Sequence, residues 1–209
     1  MTQYTPFITK PTPVPLNSRL IDLQGFQREH DEGFHSDVEY TSKPGQLEHI
    51  AHHFYKITRR LAQHLKAKRS NIDLTLSNRD LETRTIPDAF CFSLKLANHF
   101  DLVLESVLLA RYPYFKGDVE LRELQNAVLR DPATHESVLL DFAEYGGLLS
   151  DIAEKHFHGE PNTELLKRAK EESCPELLIA SLRLASIHNL DLATAYLERM
   201  RVVEKHRIL

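Results

Sequence analysis

Two stretches of this chain carry the same signature at the same internal spacing. Ile86-Pro87-Asp88 is followed by Leu94-Lys95-Leu96-Ala97, and Cys174-Pro175-Glu176 by Leu182-Arg183-Leu184-Ala185. A shorter pair, Ile21-Asp22-Leu23-Gln24 and Arg122-Glu123-Leu124-Gln125, precedes them in the same order. Between these anchors each copy has one long apolar-periodic segment, 46–68 and 135–157. Internal repetition constrains a fold more than local propensity does, because a unit too small to bury its own apolar face must be covered by a neighbour.

The repeated unit is helical. From Leu20 onward apolar residues recur at three- and four-residue spacing and β-branched runs are absent. The 209 residues include seven glycines, so breaks are few and can be placed. Pro44–Gly45, Asn71–Asn78, Pro113, Gly117, Pro132, Gly159–Pro161 and Pro175 punctuate helices expected at 19–33, 46–68, 86–110, 118–130, 135–157, 163–171 and 175–204. The fold class is therefore all-α. Two units can pair their apolar stripes around a four-helix bundle, an intrachain pseudo-dimer. The expected organisation is an arm over 1–18, one unit over 19–112 and a second over 113–209. Pro11, Pro13 and Pro15 keep the arm out of helix and central strand. It is either a loose tail or a strap laid across the body or a second chain, which leaves a homo-oligomer open.

Composition narrows the function classes. The net charge of -4 gives no global basic tilt, so no nucleic-acid partner is expected. Lys66-Ala67-Lys68-Arg69 reads as a solvated helix end. No run of 18 apolar residues occurs, so no membrane span is expected. The opening MTQYTPFITKPTPVPL lacks the basic start and apolar core of a secretory leader. Cys91 and Cys174 form no CxxC pair, which fits a reducing cytoplasm, and Cys91 falls in a core stripe as inert packing. Gly-rich phosphate loops and nucleophile elbows are missing from the sequence.

The order short helix, long helix, loop, long helix resembles the MazG-type all-α nucleotide pyrophosphohydrolases, which include dimeric dUTPases and phosphoribosyl-ATP pyrophosphohydrolase. Family members open on a helix bearing Leu-Gln, matched by Leu23-Gln24 and Leu124-Gln125. Their third helix begins with Glu-x-x-Asp and ends in a Leu-Ala-Asn type segment. It is matched by Ile86–Leu104 and by Cys174 through Asp191-Leu192. The resemblance covers most of 19–209. It implies a nucleoside triphosphate or related nucleotide as ligand. It also implies Mg²⁺ on a carboxylate cage that positions an attacking water, since this hard ion prefers carboxylate oxygen.

Aligned this way, the second-helix acids of the family's Glu-Glu-x-Gly-Glu core fall at His52, His53 and Lys56 in one unit. In the other they fall at Ala143, Glu144 and Gly147, with Gly146 at the family glycine. The third-helix pairs are Thr85 with Asp88 and Ser173 with Glu176. The acidic site is largely eroded. The reduced set is Asp141, Glu144 and Glu176, with Glu172 nearby, and Glu144 and Glu176 are the candidate catalytic pair. Asp141 and Glu144 share one helix face, which reads equally as a solvated acidic surface. Thr85-x-x-Asp88 and Ser173-x-x-Glu176 also read as capping boxes with proline in the first turn.

The other candidate metal face is histidine-rich. His49 and His53 lie one turn apart, a spacing at which two imidazoles share an ion, and Asp88 could be a third ligand. This would be a transition-metal site, with Lys56 one turn further on the same face repelling a cation. The plain alternative is a polar histidine cluster without metal. His156 and His158 read as a helix end. The function expected is thus a MazG-like hydrolase of acid anhydrides, Mg²⁺-dependent if active. The alternative is a pseudoenzyme, a non-catalytic helical binding or interaction protein of that lineage.

Overall fold

The computed structural model describes residues 19–35, 42–112, 120–128 and 133–207. The proline-rich arm over 1–18 and part of the expected unit boundary lie outside them. The described residues are helical, apart from short connections and one isolated antiparallel bridge between Arg19 and Glu120. The helices are α1 (Leu20–Phe34), α2 (Lys43–Arg69), α3 (Thr75–Asp80), α4 (Ile86–His99), α5 (Leu104–Arg111), α6 (Leu121–Val128), α7 (His135–Phe157), α8 (Thr163–Arg168), α9 (Cys174–Ile187) and α10 (Leu192–Arg207). None of them is long and apolar enough to cross a membrane.

The long helices start and stop where their chemistry directs. Ser42 caps α2, its Oγ accepting from the Gly45 amide at 3.3 Å, and Pro44 occupies the first turn. Lys66, Lys68 and Arg69 complement the carbonyl end of that helix. Thr134 and Ser137 close a reciprocal capping box on α7. Leu47, Ile50, Phe54, Ile57 and Leu61 form a buried stripe on α2, and Val138, Phe142, Leu149 and Ile152 form one on α7.

These stripes meet. Helix α2 packs on α7, α4 on α9, and each long helix also packs on its own unit's third helix, giving a four-helix core. At the centre the rings of Phe54 and Phe142 stack with centroids 6.2 Å apart, both fully buried. Gly146 permits this approach, since a Cβ there would stand 3.2 Å from the Phe54 Cβ.

Backbone features recur 88 positions apart. Asn71 and Gly159 both take positive φ after the long helices, and Asp101 and Asn189 both do so after α4 and α9. Five-residue π-helical turns at Leu81–Thr85 and Ala169–Ser173 precede Pro87 and Pro175. Proline cannot donate to the carbonyl four residues back, and its ring crowds that carbonyl. The widened turn, with Ile86 N–H donating to Leu81 O and Cys174 N–H to Ala169 O, accommodates it.

Three expectations are corrected. The segment before Ile86 is helical from Thr75, so Thr85 and Ser173 have helical dihedrals and make no cap bond. The capping-box reading therefore fails: Thr85 Oγ1 donates instead to Asp80 at 3.3 Å. The expected helices over 86–110 and 175–204 each break in two at the left-handed residue. The Leu-Gln motif bridges both breaks. Gln24 Nε2 donates to Leu102 O at 2.6 Å, and its Oε1 accepts from Leu104 N at 3.0 Å. Gln125 does the same with Leu190 O (2.9 Å) and Leu192 N (3.3 Å).

Removing the central ring contact should be costly. Phe142→Ala is expected to lose about 3–5 kcal/mol in urea denaturation, the usual cost of a buried aromatic. Leu140→Ala, two residues away on an exposed position, should change stability by no more than about 0.5 kcal/mol.

Candidate functional site

The carboxylates singled out by the resemblance are claimed by arginines. Asp88, near the start of α4, takes Arg199 Nε from α10 at 2.7 Å and Arg60 from α2 at 3.3 Å. Glu176, at the equivalent place on α9, pairs with Arg111 from α5. Asp141 on α7 accepts from Arg183 of α9 at 3.3 Å. The exchange is reciprocal: Arg111 before the expected unit boundary holds an acid beyond it, and Arg199 beyond it holds an acid before it. Glu144 stays exposed on α7. The half-buried Tyr145 hydroxyl beside them is raised in pKa, first by burial and then by Glu176, Glu144 and Asp141. Burial also raises the Glu176 carboxyl, and Arg111 and Arg183 only partly offset this.

On the first unit's histidine face, the rings of His49 and His53 lie 4.7 Å apart. His53 stacks on Phe92 at 3.8 Å. Burial holds its pKa down to about 3, helped by His49, Lys56, Lys95 and Arg60. Asp88 is turned to its arginines. Among the described residues, neither His49, His53 and Asp88 nor Asp141, Glu144 and Glu176 bring their ligand atoms together. The group that does is His30, Asp31 and His35, all within 4.8 Å, and it could hold a metal ion. Asp31 there already accepts Lys95 at 2.6 Å and Gln27 at 2.8 Å.

That ion pair sits on a buried polar network. Gln27 Oε1 accepts from the Tyr196 hydroxyl at 2.6 Å and from the Cys91 thiol at 3.2 Å. Burial raises the Cys91 thiol far above the thiolate range, so it is inert, as its stripe position implied. Above the network opens a cleft of about 390 Å³ between α1, α2 and α4, a volume suited to a small molecule. Its cations are Arg28, Lys43 and Lys95, with His49 and His99 beside them. Burial, then Lys43, lowers His99 to about 4. The sequence offered one signal for this site: Lys95 stands between leucines on a largely apolar helix. The arginine partners gave none, because they come from helices far away in the chain.

No known family's model matches this chain, and neither a characterised protein nor a solved structure is significantly similar to it.

The Glu176 carboxyl provides a test of the site. Its titration by NMR should centre above the ordinary glutamate value of about 4.3, and Arg111→Met should raise it further. A raised carboxyl contributes stability that is complete below the unfolded value and lost as pH rises through the folded one. Glu176→Gln, which cannot ionise, should therefore be no less stable than the native chain at pH 7 in chemical denaturation. A midpoint below the ordinary range would overturn this account.

Proposed function

We propose that the chain is a MazG-like helical protein, two tandem units folded as an intrachain pseudo-dimer, which binds a nucleotide or related phosphorylated ligand without hydrolysing it. The observation that carries the reading is the arginine occupancy of Asp88, Glu176 and Asp141. A carboxylate that neutralises a guanidinium has lost the charge that would hold Mg²⁺ on a phosphate chain. The residues present do not fit that ion, so no hydrolytic step through it is assigned to Glu144 and Glu176. The tandem arrangement is supported by the recurrences 88 positions apart and by equivalent residues meeting each other. Phe54 faces Phe142, and Arg19 bridges Glu120.

The cleft over Lys95 supports the ligand class. Arg28 and Lys43 at its rim can meet phosphate oxygens directly, where the family would place a metal. The rest of the lining supplies amides and acids suited to a sugar or base: Gln46, Asn98 and Asp101.

Two measurements test this. With Mg²⁺, common nucleoside triphosphates should yield no monophosphate above background. Turnover on the order of 1 per second that Glu144→Gln abolishes would overturn the reading. Calorimetry should detect triphosphate binding, weakened roughly tenfold or more by Arg28→Gln with Lys43→Gln, each a charge-assisted contact. Both side chains are exposed, so the double variant should fold normally. Absence of any nucleotide binding would leave a helical interaction protein.

A further inference from the structure

Three histidines from three distant helices meet at one end of the bundle. His64 lies near the end of α2, His135 opens α7 and His188 closes α9. Their ring centroids are 5.0, 5.2 and 6.1 Å apart. His135 Nε2 and His188 Nε2 face each other at 3.1 Å. Two nitrogens on one tetrahedral zinc, each at the usual bond length, stand about 3.3 Å apart. The other nitrogen of His188, Nδ1, lies 3.1 Å from Glu82 Oε1 on the π-helical turn. A carboxylate there takes the Nδ1 proton and leaves Nε2 as a bare lone pair, the arrangement that orients metal-bound imidazoles. His64 Nδ1 is likewise held, by the Ser77 hydroxyl at 2.9 Å.

The molecule contains its own control for this cluster. Positions 88 residues away from His64, His135 and His188 hold Ile152, Leu47 and Phe100, all buried in the apolar core. The position equivalent to Glu82 holds Lys170, whose ammonium lies 5.7 Å over the Phe100 ring. The same backbone site is thus closed at one end by Leu, Phe and Ile. The architecture does not require imidazoles here, and placing the buried His64 beside the half-buried His135 and His188 forgoes apolar burial that the opposite end retains.

We infer that His135, His188 and His64, with Glu82 behind His188, form a binding site for a zinc-like transition-metal ion. His188 Nε2 presents its lone pair as it stands, and His135 Nε2, which shares a hydrogen bond with it at 3.1 Å, presents its own once that proton moves to its Nδ1. His64 completes the set by a turn of its ring about the Cβ–Cγ bond, exchanging Ser77 for the ion. A fourth position remains for water. Imidazole donors select zinc, cobalt, nickel or copper over Mg²⁺. Lys68 opposes a cation from α2, and Glu136 and Glu82 favour one. The comparison across 88 positions rests on the tandem arrangement proposed above, whereas nucleotide binding uses none of these residues, so loss of one binding activity leaves the other in place.

The test uses the full chain purified without a histidine tag. Metal-stripped protein is titrated with Co²⁺ and Zn²⁺, reading Co²⁺ ligand-field absorption and its loss on zinc addition, with retained zinc measured after dialysis. The expected result is one ion per chain with a tetrahedral cobalt spectrum. His188→Phe should weaken binding by at least about 100-fold, and Glu82→Gln by about 10–100-fold, the range for carboxylates behind ligating histidines. The triple variant His64→Ile, His135→Leu, His188→Phe copies the opposite end. It should keep the helical circular dichroism and lose the ion; should it not fold, His188→Phe and Glu82→Gln decide alone. No cobalt spectrum and no retained zinc in the native chain would overturn the site. So would binding unaltered by His188→Phe, which would place the ion elsewhere, for example at His30, Asp31 and His35.

Discussion

The contact on which the rest of the structure depends is the meeting of α2 and α7 at Phe54, Phe142 and Gly146. Each long helix buries its apolar stripe chiefly against the other, and glycine at 146 lets the two approach until the rings stack. Once these helices are joined, α4 and α9 are brought against each other, and their almost wholly buried faces close the core. The later helices can then reach across. Arg199 on α10 reaches Asp88, and Arg111 on α5 reaches Glu176. Two partly buried acids that would each carry a desolvation cost are thus met by cations from helices distant in the chain, Asp88 by Arg60 of α2 as well.

The sequence made the long elements legible because their signals are local. Helix α7 was delimited by its cap, its stripe and the glycine that follows it. The short helix α3 was hidden for a physical reason: it buries no residue, so it has no periodic stripe, whereas α8 falls within the helix expected over 163–171. Thr85 and Ser173 misled for a related one. Hydroxyl, proline and acid in that order make a capping box only if the chain enters from an extended conformation. Here a helix already precedes them and passes through in a wide turn. The breaks at Asp101 and Asn189 carry neither glycine nor proline, so an apolar pattern ran across them unmarked. What stabilises those breaks, Gln24 and Gln125, was visible as a motif but not as a bracket between chain segments far apart.

The candidate site was legible only in its acids. Asp141 and Glu176 are each met by an arginine while Glu144 stays exposed, so what decides their chemistry is the cations around them. Arg183 and Asp141 are 42 residues apart in the chain, and Arg199 and Asp88 are 111 apart. No spacing rule reaches that far. The histidines show the same limit. His49, His52 and His53 stood out because they share one helix, whereas His64, His135 and His188 each stand alone in the sequence. The fold gathers the inconspicuous set and surrounds the conspicuous one with positive charge.

A pseudo-symmetric chain offers a way to separate structural from functional residues within one sequence. Where the two proposed units agree, as at Gln24 and Gln125 or at Pro87 and Pro175, the shared backbone accounts for the residue. Where they differ while the backbone holds, the fold has released the position. Lys95 and Arg183 differ little: each is a cation serving a carboxylate, Asp31 in one case and Asp141 in the other. The greater divergence lies at the two ends of the bundle, imidazoles at one and aliphatic and aromatic carbon at the other. A buried imidazole cluster on a backbone that also accepts Leu, Phe and Ile has no packing explanation, and sites that break a local packing rule are where function is expected. On the tandem reading proposed above, such divergence leaves one end to keep the core closed while the other is free to take on chemistry. That division requires the two units to remain one cooperative body, which the α2–α7 contact provides.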